Sequence, residues 1–575
     1  MSSPPRHRRR TLLAAALAIG LAAGTATVAP AASAAPPKVD LATGGVQAPV
    51  PQLTWAPCTG EGLEQLDCTT GRVPLDYDRP HGPTIGVVAA RRPADDQANK
   101  IGTLFLNPGG PGGSGVDFVP AAPFIFEPEI LARFDIVGLD PRGTNRSAPV
   151  RCFRTAEEHF QFFGSLPFFP VGVRQTVDYL AAYKRYTRQC ARLAAPIIDH
   201  ASTANFVRDL DLFRQAVGDP GFSYIGYSYG TYVGETYAAL FPRRVRAIVI
   251  DGVLDPERWA TGQFGDGRTV PFSTRLLSAQ GAYESLGAFF RTCVDAGPDR
   301  CAFATPGATA RDLAARYAAL ARRTLREPIA LPEDFTVSYD LLVGFSLILL
   351  YSDFTYPELA GFLAALEDAA AASGSAAASA AGRAAAAAVR KQAARFLEEQ
   401  LFDSGFDAVS CADTINPRSQ LAWPVAAVLQ DRRFPYFGSA WTYASMACAT
   451  WPGFDSDRYL GPFTKRTAKP LLVVGTRYDP ATRYQAAVEV ARTIPGARLL
   501  SVNGYGHTSI GTSVCADAYT ADYLVSGALP PAGTVCQADR QPFDPLLGVT
   551  AEAAAARTAV VTAAVPAGGS APLTR

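Results

Sequence analysis

The chain has 575 residues, 48% hydrophobic and 18% charged, which is too long for one small core and too apolar for a disordered chain. Its formal net charge is +1. Residues 1–34 hold four Arg and no acid, so the remainder carries 49 basic side chains (53 − 4) against 52 acidic ones, or −3. A weakly acidic chain without a basic stripe excludes nucleic-acid binding by electrostatics.

Arg6, Arg8, Arg9 and Arg10 precede an apolar run from Thr11 to Ala23, and Ala32-Ser33-Ala34 supplies small residues for cleavage. Residues 1–34 therefore read as a signal peptide. The run is shorter than the ~20 residues of a spanning helix, and no Cys stands at the cleavage point to take a lipid. The chain is expected to be secreted, with no stable membrane association once the signal is removed. Arg9-Arg10-Thr11-Leu12-Leu13 also resembles a twin-arginine signal, and both export routes stay open.

Residues 35–254 read as the first part of an α/β core. After a Pro-rich lead-in to residue 57, Arg72–Tyr77 and Thr84–Arg92 alternate like a hairpin turning at Arg79-Pro80-His81-Gly82-Pro83. Ile101–Asn107, Phe134–Asp140, Phe222–Gly226 and Val245–Asp251 are short apolar, β-rich runs, with helical-period segments at Ala204–Val217 and Thr231–Phe241. Strands alternating with helices predict a mostly parallel, doubly wound sheet.

The first run leads into Asn107-Pro108-Gly109-Gly110-Pro111-Gly112-Gly113-Ser114-Gly115. Glycines there let backbone N–H groups approach a developing oxyanion, so Gly110 and Tyr229 are the candidate donors. Gly110-x-Gly112-x-x-Gly115 also matches a dinucleotide fingerprint, but Pro120 and Pro123 interrupt the helix such a loop must open. Asp140-Pro141-Arg142-Gly143 reads as a structural turn with a buried ion pair. Gly226-Tyr227-Ser228-Tyr229-Gly230 lies between a strand and a helix, the context of a nucleophile elbow that lifts Ser228 above the strand ends.

Between residues 255 and 465 the strand rhythm disappears. Helical stretches at Ala308–Arg323, Tyr356–Ala372 and Gly382–Phe402 read as a cap inserted over the sheet edge, with an independent domain as the alternative. Residues 466–545 resume the core with runs at Pro470–Gly475 and Arg498–Asn503, and 546–575 form an Ala-rich tail. A serine nucleophile needs a base, and in this chain order only His507 follows it; Asp479, just past a strand, is the acid, with Asp255 and Glu489 in reserve. His81 lies in the hairpin turn and reads as structural. Together these features predict the α/β-hydrolase fold with a large helical cap insertion.

Ten Cys, at 58, 68, 152, 190, 293, 301, 411, 448, 515 and 536, suggest disulfides in an exported chain. Sequential pairing is the simplest reading, although spacing does not fix connectivity. No C-x-x-C pair or His cluster suggests a metal, and no cofactor is expected.

These motifs resemble the secreted tripeptidyl aminopeptidase family of actinobacteria, related to the prolyl aminopeptidases. The resemblance rests on residues 107–112, 140–143 and 226–230, on Gly475-Thr476-x-x-Asp479, on Gly506-His507-Thr508 and on Ala532-Gly533-Thr534-Val535-Cys536. Asn145 departs from it, standing where the family usually has Gly. The resemblance implies release of short peptides from a free N-terminus. A carboxylate under the cap would pair with the substrate's ammonium; Asp413, near a possible disulfide at Cys411, and Glu235 are the candidates. A carboxylesterase or acyltransferase with the same three residues is the alternative.

Overall fold

The computed structural model describes residues 46–331, 335–371 and 403–545. The signal peptide, the Ala-rich stretch at 382–402 and the tail from 546 lie outside the described residues. The central sheet takes its strands in the order β1 (Ala56–Pro57), β2 (Asp67–Pro74), β3 (Thr84–Arg92), β5 (Phe134–Leu139), β4 (Gly102–Asn107), β6 (Phe222–Tyr227), β7 (Val245–Asp251), β10 (Leu472–Tyr478), β11 (Arg498–Tyr505), β12 (Val535–Gln537). From β5 to β12 every neighbouring pair is parallel, whereas β1, β2 and β3 join antiparallel as the expected hairpin and its extension.

The central strands read as unbroken apolar runs because both of their faces are covered. Along β4, Phe105 packs toward helices Thr203–Ala216 and Gly230–Leu240. Leu104 and Leu106 pack the other way, with Ile130 and Leu524 of helices Pro128–Arg133 and Val514–Ser526. β7 and β10 are neighbours although residues 252–471 separate them. Helices such as Ser278–Ala296, Ala310–Arg326, Tyr339–Leu349 and Tyr356–Ala371 lie between those two strands and share a hydrophobic cluster of their own. A short antiparallel hairpin, β8 (Ile329–Leu331) with β9 (Phe335–Val337), also lies there, where the sequence suggested helices alone.

Five disulfides join Cys58–Cys68, Cys152–Cys190, Cys293–Cys301, Cys411–Cys448 and Cys515–Cys536, in sequential pairing. Among the described residues no helix is long and apolar enough to cross a membrane.

The turn after β5 holds the buried ion pair its sequence suggested. Arg142 donates from Nε and Nη2 to the two oxygens of Asp209 at 2.7 and 2.5 Å, and from Nη1 and Nη2 to the carbonyls of Leu75 and Pro74. Both side chains are fully buried. Replacing Arg142 with Met leaves that carboxylate buried without its ion-pair partner, with the Tyr77 hydroxyl still donating to it at 2.6 Å, so stability is expected to fall by roughly 3–5 kcal/mol. A denaturant midpoint within error of wild type would contradict this.

Candidate active site

The elbow begins where β6 ends. Ser228 has φ 56°, in the left-handed region that costs a non-glycine residue energy. Gly226 and Gly230 permit the turn by close approach: a Cβ on Gly226 would stand 2.2 Å from the Gly230 carbonyl oxygen, and one on Gly230 2.6 Å from that of Asn107. The Ser228 N–H donates to the Asp251 carbonyl at 2.9 Å, tying the elbow to the end of β7.

Asp479 and His507 follow β10 and β11, at the same edge of the sheet. His507 Nδ1 lies 2.9 Å from Asp479 Oδ2 and 3.0 Å from Oδ1. The Asp479 carboxylate also accepts from the N–H groups of Ala481, Thr482 and Thr508 and from the Thr482 hydroxyl, which hold it in one orientation. The His507 N–H donates to the Tyr351 carbonyl at 2.7 Å, and the Tyr351 ring meets the imidazole edge-on at 5.2 Å. His507 is 2% exposed, and its Nε2 is buried without a hydrogen-bond partner.

Ser228 and His507 converge on residues 251–252. The serine is anchored to Asp251, and a Cβ on Gly252 would stand 3.3 Å from His507 Cε1. No hydrogen bond joins Ser228 to His507 Nε2. This contact is commonly long before substrate tightens it. Both reserve acids are engaged elsewhere: Asp255 caps helix Pro256–Ala260, and Glu489 accepts from Arg483. His81 is exposed in the turn between β2 and β3.

In the Gly-rich loop it is Gly109, rather than Gly110, that touches the elbow. A Cβ there would stand 2.8 Å from Ser228 Cβ and 3.1 Å from the Tyr229 nitrogen. The Gly109 N–H is taken by Asn107 Oδ1 at 3.0 Å. No acceptor for the N–H of Gly110 or Tyr229 is present among the described residues. Asp140 braces this loop by accepting from the Ser114 hydroxyl at 2.5 Å. Asn145 has φ 47°, a left-handed conformation that Asn tolerates better than most residues and glycine adopts freely. Its side chain donates to the Gly112 carbonyl at 2.8 Å.

Residues 102–273 match the family described as alpha/beta hydrolase fold, and residues 434–536 match the one described as TAP-like protein. Carboxylesterase B of Mycobacterium tuberculosis is 32% identical, over 92% of this chain and 99% of its own. Serine protease Hip1 of the same species is 29% identical, over 84% of this chain and 91% of its own. The tripeptidyl aminopeptidase of Streptomyces coelicolor is 27% identical, over 84% of this chain and 86% of its own. The chain belongs to the TAP-like family of α/β hydrolases.

As a TAP-like protein it is a serine hydrolase, and two of its acids sit differently from the sequence reading. Asp413 is buried with both oxygens occupied, Oδ1 accepting the Thr203 N–H at 2.7 Å and Oδ2 the Thr203 hydroxyl at 2.5 Å. Burial pushes its carboxyl up to about 7, against those hydrogen bonds. Glu235 is buried with neither oxygen hydrogen-bonded, and burial, helped by the charge of Asp255, raises its carboxyl well above the usual range. Neither stands open to receive an ammonium group, because each is closed off from solvent inside the fold.

Asp251, the last residue of β7, is a further buried acid near the site. Its carboxylate accepts the N–H and hydroxyl of Ser509 at 2.9 and 2.8 Å, two residues beyond His507, and burial pushes it up to about 6. A strand ending in Asp was the available signal.

Proposed function

We propose that the protein is an exported serine exopeptidase that releases short peptides, tripeptides in particular, from free N-termini through an acyl-enzyme on Ser228. The observation that carries this reading is the buried, unpartnered Nε2 of His507, on an imidazole whose Nδ1 is held by Asp479. An imidazole so arranged is a base waiting for a proton donor.

In this reading Ser228 Oγ attacks the peptide carbonyl while His507 Nε2 takes its proton. Asp479 fixes the tautomer and stabilises the imidazolium without itself becoming protonated. The tetrahedral oxyanion is met by the N–H of Tyr229 and an N–H of the Gly-rich loop, for which Gly110 is the candidate. His507 then protonates the leaving amine, the C–N bond breaks, and water activated by the same imidazole releases the acyl group. Five disulfides fit an oxidising compartment. The same three residues serve ester hydrolysis equally well, and the relative named Carboxylesterase B keeps that alternative in view.

Tripeptide p-nitroanilides with free and acetylated N-termini separate these readings. If an ammonium pairs with the enzyme, acetylation is expected to lower kcat/KM by about 10- to 150-fold, the worth of one charged hydrogen bond. Equal rates on both substrates would rule out aminopeptidase action. Turnover confined to p-nitrophenyl esters would favour the esterase.

A further inference from the structure

Tyr229 faces two ways. Its backbone nitrogen lies beside Gly109 at the elbow, while its phenol runs into the interior and is 2% exposed. There its hydroxyl meets Thr203 Oγ1 in a short hydrogen bond. Thr203 Oγ1 donates in turn to Asp413 Oδ2 at 2.5 Å, and the Thr203 N–H to Asp413 Oδ1 at 2.7 Å. A hydroxyl has one proton to give. With that proton directed at Asp413, Thr203 accepts from Tyr229, and the chain runs in one direction from phenol to hydroxyl to carboxylate. The rings of Trp259 and Tyr232 flank the phenol, at 5.6 and 6.3 Å between centroids.

The three residues come from separate parts of the chain. Thr203 opens helix Thr203–Ala216 behind its Ser202 cap. Asp413 ends helix Gly405–Asp413, two residues past Cys411, which is bonded to Cys448. Tyr229 immediately precedes helix Gly230–Leu240. Buried side chains that hydrogen-bond one another in this way rigidify what they hold.

Resting on the serine peptidase reading above, we propose that Asp413 is a positioning residue: through Thr203 it holds Tyr229 by its hydroxyl and so aims the Tyr229 N–H at the oxyanion. Hydrogen-bond donors accelerate acyl transfer only when they are oriented beforehand. Because Asp413 belongs to the segment between β7 and β10, the seating of that segment on the sheet sets the alignment of the oxyanion site.

Tyr229→Phe keeps the ring and the N–H but removes the hydroxyl; Asp413→Asn keeps the shape and weakens the acceptor; Thr203→Ser retains the linking hydroxyl. On an unblocked tripeptide p-nitroanilide, Tyr229→Phe and Asp413→Asn are expected to lower kcat about 10-fold with KM unchanged, less than the 10²–10³ lost when a donor is removed outright. Thr203→Ser keeps the wild-type rate. Affinity for a peptide aldehyde, whose hemiacetal oxygen occupies the oxyanion position, should fall by the same factor as kcat. A lower Tm with kcat and aldehyde affinity at wild-type values would leave the network a purely structural role and overturn the proposal. Should Asp413→Asn fail to fold, Tyr229→Phe decides by the same criteria. Failure of the peptidase reading registers separately, as no turnover of the tripeptide p-nitroanilide by the wild-type enzyme, and the same comparison is then read on a p-nitrophenyl ester.

Discussion

Ser228→Ala is expected to lower kcat about 10⁴- to 10⁶-fold, the scale seen when a serine nucleophile is deleted from an otherwise intact hydrolase. KM and the unfolding transition should barely move, since the side chain removed is small and the backbone bond from Ser228 to Asp251 survives. A companion variant separates chemistry from folding. Ser228 holds φ 56°, and left-handed geometry costs a non-glycine residue roughly 1–2 kcal/mol. Glycine relieves that strain while losing about 0.5–1 kcal/mol to unfolded-chain entropy. Ser228→Gly should therefore be inactive yet at least as stable as wild type, the pattern of strain retained for function. A strongly destabilised Ser228→Gly would contradict the geometry of the elbow.

Asp479→Asn is the second large effect, with an expected loss of about 10⁴-fold in kcat near neutral pH. The asparagine amide presents a donor where His507 Nδ1–H needs an acceptor, so the imidazole is driven to the tautomer whose Nε2 carries the proton and cannot take one from Ser228. The N–H groups of Ala481, Thr482 and Thr508 that now converge on the carboxylate should resist the amide and magnify the loss. Retention of more than about a tenth of wild-type kcat would move the acid's role to another residue, Asp251 being the one to test because its buried carboxylate feels the charge of His507.

Much of the sheet was legible because its strands are covered on both faces and so appear as apolar runs ending in turn residues. Phe134–Leu139 and Phe222–Tyr227 are buried throughout, and both stood out for that reason. The β8–β9 hairpin did not, since three-residue strands carry no readable period. Pro120 and Pro123 were expected to interrupt any helix after the Gly-rich loop, and the chain there makes short turns, Gly115–Phe118, Val119–Ala121 and Ala122–Ile125, restarting with Pro in the first positions of the last two.

In the site, each of the three central residues follows its own strand, so local pattern and chain order were enough to nominate them. What a sequence cannot express is contact through space. Gly109 and Gly110 both have φ 105°, and no local rule tells which of them lies against the elbow. Asp413 was singled out beside Cys411, but its partner Thr203 lies 210 positions away, which turns an apparently available carboxylate into a buried brace. Asp251 escaped notice for the same reason, its partner Ser509 being 258 positions distant.

Catalysis here rests on Ser228 acting as a nucleophile served by His507. A fluorophosphonate probe followed by peptide mass mapping tests it most directly. One adduct is expected, on Ser228, with labelling slowed severely in His507→Ala. An unlabelled protein that still turns over substrate, or an adduct on another residue, would contradict it.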